Sequence, residues 1–207
     1  MSFVIPRTAF QSPHRQQGFS LVEVSIVTAI VLLISIAAIP AISSYVIENK
    51  VPKVGEELQR FIARAKANAQ GSGSTPYTGM STATLANGLR NSSVLSVSGS
   101  GASAVVAHGL GGSGRSGNGV ATLAPATLAG GSTGSAFALT LNDVNDAACP
   151  ALASILQRVS DVISINGANG PVIVKDALST PVVPYNAGRA DDQCTQGDRN
   201  TFVFTVR

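Results

Sequence analysis

The sequence predicts an α+β fold in which one long N-terminal helix packs against an antiparallel β-sheet head. The first observation behind this prediction is an uncharged run of 24 residues between Glu23 and Glu48. The second is a series of apolar residues at spacings of three and four, which continues the helix to about residue 70. The third is a set of short β-like segments around one helical segment in the C-terminal half, a spacing that indicates a small α+β head.

Residues 19–47, the uncharged run and its flanks, are predicted to be a transmembrane helix. At ~1.5 Å per residue the uncharged part reaches ~36 Å, which exceeds the ~30 Å hydrocarbon core of a bilayer. A buried helix of a soluble core fits poorly, because the chain is short and only 5% aromatic. A cleaved secretory signal is the other alternative, with residues 41–43 as a small-x-small site. The run is longer than the apolar region of about 7–15 residues in such signals.

Residues 48–70 are predicted to form the amphipathic second half of the same helix. Its apolar face carries Val54, Leu58, Phe61, Ile62, Ala65 and Ala69. Pro40 and Pro52 are expected to kink the helix, and Gly55 is expected to weaken it near the second kink. The whole helix would be ~78 Å long, with one end in lipid and the other on a globular head.

Residues 71–207 are predicted to form the globular head, which begins with a Gly/Ser-rich loop region at 71–134. Within this region, the only charge between Arg90 and Asp143 is Arg115. Composition alone would allow a flexible linker, but short apolar runs interrupt it. We therefore expect a long, partly ordered loop with one or two weak strands.

The rest of the head is predicted to place strands around one helix. Asp146 is a candidate N-cap for a helix over about 147–159, and Pro150 is tolerated in its first turn. Strands are expected at the apolar segments 136–141, 162–165, 171–175 and 201–207. Such a set favours an antiparallel sheet next to the helix.

The two cysteines, Cys149 and Cys194, both lie in the C-terminal half. They form no CxxC motif and have no neighbouring His, which argues against a zinc site. An even pair in an exported head indicates one disulfide, which would bound residues 149–194 and stabilise the head by ~4 kcal/mol in the chain-entropy treatment. Two free, buried thiols are the alternative.

The charge balance argues against a nucleic-acid-binding module. The net charge is +3, and charged residues are only 12% of the chain. Without Arg7 and Arg15, in the polar N-terminal segment, 12 basic and 11 acidic side chains remain. No basic face is therefore expected to attract nucleic acid to a single subunit.

Two segments match the residue pattern of a catalytic motif, but the surrounding sequence lacks the structural context that each motif requires. The glycines at 109–114 fit a dinucleotide-binding pattern, but no strand–turn–helix unit surrounds them. Residues 130–134 fit G-x-S-x-G, yet the candidate bases are only His14 and His108. His108 is expected to be a solvated loop residue. We predict no catalytic residue, no cofactor and no metal site, so the chain is not expected to be an enzyme.

Residues 17–23, Gln-Gly-Phe-Ser-Leu-Val-Glu, resemble the processing site of type IV prepilins. In that family a prepilin peptidase cuts after the Gly and methylates the new N-terminal amine. The resemblance implies a leader peptide at 1–18, cleavage between Gly18 and Phe19, and N-methylation of Phe19. It also implies that the apolar run stays in the mature protein, with Glu23 as the fifth residue.

The head is similar to the type IVb branch of these pilins. Residues 137–156, FALTLNDVNDAACPALASIL, look like the segment in which a strand leads into a Cys-bearing helix. Cys194 precedes a C-terminal strand, as the second Cys does in that branch, and residues 84–89 are similar to the loop after its long helix. Two features depart from the branch: Phe19 at the cleavage site is more usual in type IVa, and the leader is of intermediate length.

The resemblance also implies what Glu23 does and which proteins act on the chain. A carboxylate in hydrocarbon needs a partner, and the processed amine of Phe19 in a neighbouring subunit is the cation that the family supplies. The implied partners are a prepilin peptidase, an assembly ATPase, an inner-membrane platform protein, a secretin and minor pilins. The subunit would wait in the inner membrane and become extracellular in the assembled pilus.

We therefore predict a major pilin, a structural subunit that polymerises into a type IV pilus for surface adhesion, aggregation or mating contact. One alternative is a minor pilin, or a pseudopilin of a type II secretion-like system. A remote alternative is a monomeric, signal-anchored exported binding protein. The Gly/Ser-rich loop at 71–134 and the loop at 180–200 are expected on the filament surface, where many weak sites would give avidity.

Overall fold

The computed structural model describes residues 18–115, 117–128 and 130–207, with no side-chain description at positions 40 and 41. The predicted leader therefore lies outside the described residues except for Gly18. Two compact units are distinguished, Met1–Ala41 and Ile42–Arg207. The first contains the beginning of helix α1, and the second contains its end and the head.

Helix α1 (Leu21–Ala69) has nearly the bounds that the sequence predicts. In the second unit its apolar face enters the core through Val51, Val54, Leu58, Phe61, Ile62 and Ala65. Arg60 forms an exposed ion pair with Glu56 one turn away. From Val51 onward the helix therefore has one buried apolar face and one exposed polar face. Pro40 and Pro52 both lie within α1, and the kinks expected there stay predictions.

The head contains a seven-stranded antiparallel sheet among the described residues. Its strands are β1 (Ser96–Ser98), β2 (Val105–Ala107), β3 (Val120–Ala126), β4 (Ala136–Asn145), β5 (Val162–Gly167), β6 (Gly170–Asp176) and β7 (Asp198–Val206). Their spatial order is β1-β2-β3-β4-β7-β5-β6, so β7 lies between β4 and β5. The predicted α+β class, with a long helix on an antiparallel sheet, is confirmed.

The Gly/Ser-rich region is more ordered than the sequence indicates. It forms helix α2 (Thr82–Leu89) and three strands, where one or two weak strands were expected. The expected loop at 84–89 is therefore wrong, because Leu85, Ala86 and Leu89 face the core at helical spacing. Apolar side chains decide the structure here despite the Gly and Ser around them.

The helix after β4 begins differently from the prediction. A short 3₁₀ turn, Asp146–Ala148, precedes α3 (Cys149–Leu156). The cap is Asn145 rather than Asp146, because the Asn145 side chain accepts from the amide of Ala147 at 3.0 Å. A further short helix, α4 (Ala187–Asp191), lies before β7.

Gly55 has a packing role that its helix propensity does not suggest. A Cβ atom at this position would lie 2.6 Å from Cγ2 of Ile155, so only glycine lets α3 approach α1 this closely. Four residues on, Gln59 donates its side-chain amide to the Ile155 carbonyl at 2.7 Å. The residue predicted to weaken α1 is the point where α1 holds α3.

Candidate assembly segment and head contacts

The segment from Phe19 to Val46 exposes apolar side chains all around the helix. Its large apolar residues are 43–87% exposed, and they are Phe19, Leu21, Val22, Val24, Ile26, Val27, Ile30, Val31, Leu32, Leu33, Ile34, Ile36, Ile39, Ile42, Tyr45 and Val46. By length and composition α1 can cross a membrane. A surface this apolar requires lipid or protein around it, since monomers in water rarely expose large apolar patches. We call residues 19–46 the assembly segment.

Hydroxyl groups in the assembly segment bond to their own helix. Ser25, Thr28 and Ser35 each donate to the carbonyl four residues earlier, at 2.7–2.8 Å. These bonds satisfy the hydroxyls inside the helix, which lowers the cost of placing them in an apolar medium. A charged carboxylate, such as that of Glu23, cannot be satisfied in this way, because it has no hydrogen to donate to a carbonyl.

Glu23 lies in the first turn of α1, where the positive end of the helix dipole favours a negative charge. Within the described part of the chain its carboxylate has no hydrogen bond or ion pair. Phe19 and Glu23 line one shallow groove together with Val24, Val27 and Thr28.

Gly18 directly precedes this segment and is exposed. No described atom lies within 4 Å of the position of a Cβ there, so the bond to Phe19 is open to approach. The sequence places the cleavage site and the methylated residue at this bond. Both assignments stay predictions.

Cys149 and Cys194 are joined by a disulfide. Cys149 is buried at the start of α3, and Cys194 follows α4, so the bond ties the segment between α4 and β7 to the core. The predicted pairing is therefore present in the structure. The alternative of two free thiols is excluded, since no free cysteine is found among the described residues.

Asn200 reinforces the same segment, and sequence reasoning did not single it out. The side chain is fully buried in β7. Its amide nitrogen donates to the carbonyls of Val144 and Thr195 at 3.0 and 2.8 Å, and its oxygen accepts from the Thr195 amide at 2.7 Å. A buried amide with three bonds joins β4, β7 and the chain after the disulfide. A single Asn at the start of an apolar segment gives no sequence signal for this role.

Lys175 closes the other end of α3. Its ammonium donates to the carbonyls of Gln157 and Ser160, at 2.5 and 2.6 Å, just beyond the helix. Burial lowers the pKa of Lys175, while Asp161 opposes this shift. Cations at helix C-termini interact favourably with the dipole and with the unpaired carbonyls.

His108 is fully buried, so its predicted place as a solvated loop residue is wrong. Nε2 lies 2.8 Å from the Asn142 carbonyl oxygen, and Nδ1 lies 3.1 Å from the Leu110 amide nitrogen. The carbonyl only accepts and the amide only donates, so the ring is neutral with its hydrogen on Nε2. The Gly-rich sequence around His108 predicts an exposed loop. The burial could not be predicted from it, because the residues that cover the ring come from strands distant in the sequence.

The segment after His108, residues 109–114, is held to the sheet by a few contacts; we call it the glycine loop. Leu110 is fully buried, and its carbonyl accepts from the Asn145 amide at 2.8 Å. The carboxylate of Asp198 in β7 accepts from the Gly112 amide, also at 2.8 Å. The loop therefore gets its order from β4 and β7 and not from its own composition.

The described residues contain no group of three or more His, Cys, Asp or Glu side chains able to hold a metal ion. Five carboxylates of the head accept backbone amides: Asp143, Asp146, Asp161, Asp176 and Asp198. These side chains fix loops and strand ends. They show no arrangement that points to a reaction.

A family model described as a prokaryotic N-terminal methylation motif matches residues 13–39. A second family model, described as PilS N terminal, matches residues 51–207, which is most of the chain. The chain belongs to the PilS N-terminal family. Together the two matches confirm the resemblance to type IV pilins, and the pilin family is one of structural subunits.

Two solved structures are similar to this pilin. The type IVb pilin from Salmonella typhi is 21% identical over 75% of this chain and 96% of that one, with a TM-score of 0.47. TcpA, a type IV pilin from the Vibrio cholerae El Tor biotype, is 14% identical over 77% and 99%, also with a TM-score of 0.47. No curated protein matches the sequence.

Proposed function

We propose that this pilin is the major subunit of a type IV pilus. The observation that carries the proposal is the assembly segment, whose apolar side chains are exposed on every side. Lipid covers such a surface before assembly, and the same segments of other copies cover it in a filament. The disulfide-bonded head, with its own core, then faces outward.

Glu23 sets the position of each subunit as it enters the filament. Its carboxylate has no partner within the described chain, and a neighbouring subunit cleaved after Gly18 offers the methylated amine of Phe19. An ion pair in an apolar medium is strongly favoured over two separate charges, so the pair fixes the axial register of the subunits. The type IVb branch stays our assignment for the head.

The role of Glu23 is tested by counting pili on cells that express Glu23→Ala. Cleavage at Gly18 should continue, because the peptide bond to Phe19 is unchanged, while pili should be lost. Ser35→Ala is the matched control: its hydroxyl bonds only to its own helix at Val31, so this variant should make pili normally. Normal pili from Glu23→Ala would refute the ion-pair role.

The machinery follows from the same proposal. A prepilin peptidase cleaves at Gly18 in the inner membrane, an assembly ATPase and a platform protein drive polymerisation, and a secretin passes the extracellular pilus. Minor pilins complete the set. Mass spectrometry of sheared pili should find an N-terminal peptide that begins with methylated Phe19. A peptide that begins upstream of Phe19 would contradict the cleavage assignment.

A minor pilin or a pseudopilin remains the alternative subunit type. The two readings differ in abundance: a major pilin should dominate the sheared filament fraction, whereas a minor pilin or pseudopilin should be scarce there. Quantifying this chain against all proteins of that fraction separates them. Its absence from sheared filaments would overturn the major-pilin proposal.

The pilus surface acts in adhesion, aggregation or mating contact through repeated weak sites. From residue 71 onward the head has seven acidic and seven basic side chains, so no net charge attracts one kind of target. Binding of intact filaments to cells should therefore far exceed that of the same amount of detergent-dispersed pilin. Equal binding by the two forms would contradict avidity as the source of adhesion.

A further inference from the structure

His108 joins the glycine loop to the sheet by a bond that survives only while the ring is neutral. The amide of Leu110 donates to Nδ1, which has a lone pair only in the unprotonated ring. Protonation puts a hydrogen on Nδ1, so two hydrogens then face each other across this contact. The bond from Nε2 to the Asn142 carbonyl is kept in both states.

The charges around His108 direct the effect of protonation to the loop. Burial is the largest influence and lowers the pKa of His108, whereas the hydrogen bond to the Asn142 carbonyl, Asp143 in β4 and Asp198 in β7 favour the protonated ring. From α1, the Lys50 ammonium lies 3.8 Å from where a Cβ on Gly109 would be, so a cation also faces the start of the loop. The cation keeps its contacts with β4, so what it loses is the amide of Leu110.

Among the described residues, the glycine loop has three other hydrogen bonds and one large apolar side chain, Leu110. The Leu110 carbonyl accepts from the Asn145 amide, the Gly112 amide donates to Asp198, and the Ser113 amide donates to the Asn118 side chain. Gly109, Gly111, Gly112 and Gly114 all have positive φ, and glycine loses the most conformational freedom when it is ordered. Removing one anchor therefore shifts the balance towards an open loop.

We propose that His108 is an acid-responsive latch: protonation of its ring releases residues 109–114 from the sheet and moves Leu110 out of the core. The open loop adds a flexible apolar contact to the head surface. In a filament this change is repeated on every subunit, so mild acid alters the contact properties of the whole polymer. The proposal holds for the head whether the subunit is major or minor.

Hydrogen exchange on the full-length pilin in detergent tests the latch. Exchange of peptides covering 108–114 is compared at about pH 7.5 and about pH 5, after correction for the intrinsic pH dependence, with strand β7 as internal reference. Protection of the loop should fall by at least about tenfold relative to β7 in acid. Equal protection of the loop at the two pH values would overturn the proposal.

Two variants distinguish protonation of the His108 ring from protonation of a nearby carboxylate as the cause of loop opening. His108→Gln carries no titrating group, so its loop protection should not depend on pH. Asp198→Asn keeps one oxygen that can accept from Gly112 and loses only the acceptor for the Asn145 side-chain amide, so its loop should still open in acid. The same acid opening in His108→Gln, or none in Asp198→Asn, would assign the response to the carboxylate and refute the latch.

If His108→Gln does not fold, nuclear magnetic resonance on the unmodified pilin gives the answer. The ring nitrogens of His108 are followed through the same pH range as the amide signals of Leu110 and Gly112. The two transitions should share one midpoint. A loop that opens while the ring is still neutral, or a ring that is protonated with the loop closed, would contradict the proposal.

Discussion

Helix α1 contains two apolar stretches that differ in what covers them. In the assembly segment no side of the helix is polar, and residues such as Leu32 are more than half exposed. Between Val51 and Ala65 only one side is apolar, and that side is buried in the head. The difference gives a rule for such helices. An apolar pattern on one side indicates that the helix packs against the core of its own chain, whereas an apolar pattern on all sides indicates that lipid or other chains cover it.

The largest expected effect comes from the head, where the disulfide stabilises the second unit internally. Replacing both Cys149 and Cys194 by Ala should lower the free energy of unfolding by about 4 kcal/mol. Chemical denaturation of the full-length pilin in detergent, followed by circular dichroism, measures this loss. Reduced and alkylated wild-type pilin is the matched control and should shift in the same direction. A change below about 1 kcal/mol would mean that the head does not depend on its cross-link.

A matched pair of leucines tests the comparison itself. Leu58→Ala removes a fully buried side chain and should cost the head about 3 kcal/mol, because a cavity is left in the core. Leu32→Ala alters a side chain that is 59% exposed and should change head unfolding by less than about 0.5 kcal/mol. Leu32→Ala should instead reduce the yield of pili. Equal effects of the two changes on unfolding would contradict the division.

A smaller effect is expected at Gly55, where α3 approaches the second stretch. Gly55→Ala should destabilise the head by about 1–2 kcal/mol, since the clash with Ile155 outweighs the better helix propensity of Ala. Adding Ile155→Ala removes the clashing Cγ2, so the double variant should lose less than the sum of the two single variants. Gly79→Ala, with open space around it, is the control. Simple additivity at Gly55 would show that the contact is not tight.

The parts of the fold that could be predicted are those with a local pattern. The uncharged run and the spacing of apolar residues gave α1, and alternating apolar segments gave strands β4 to β7. The cysteine pairing could be expected from number and context, before any distance was known. In each case the signal lies within a few residues of the element it specifies.

The rest depends on residues that are far apart in the sequence. His108 is buried because strands that are distant in the chain cover it, and Asn200 matters because it reaches Val144. From the sequence, Gly55 is expected only to weaken helix α1. Its packing role depends on α3, which lies about 100 residues later in the chain. Polar side chains in such positions have no periodicity, so their burial follows from the tertiary fold and not from their neighbours.

The position of β7 constrains the order in which the head can be built. β4 and β5 have no pairing with each other; both pair with β7, which comes later in the sequence than every other strand described. A chain that has emerged only as far as β6 therefore holds two separate half-sheets, each with an open edge able to pair with another chain. The two half-sheets join only when β7 pairs with β4 and β5, and contacts between residues so far apart in the sequence form slowly. A factor that shields those two edges until residues 198–206 arrive would serve this fold better than one that speeds any local step.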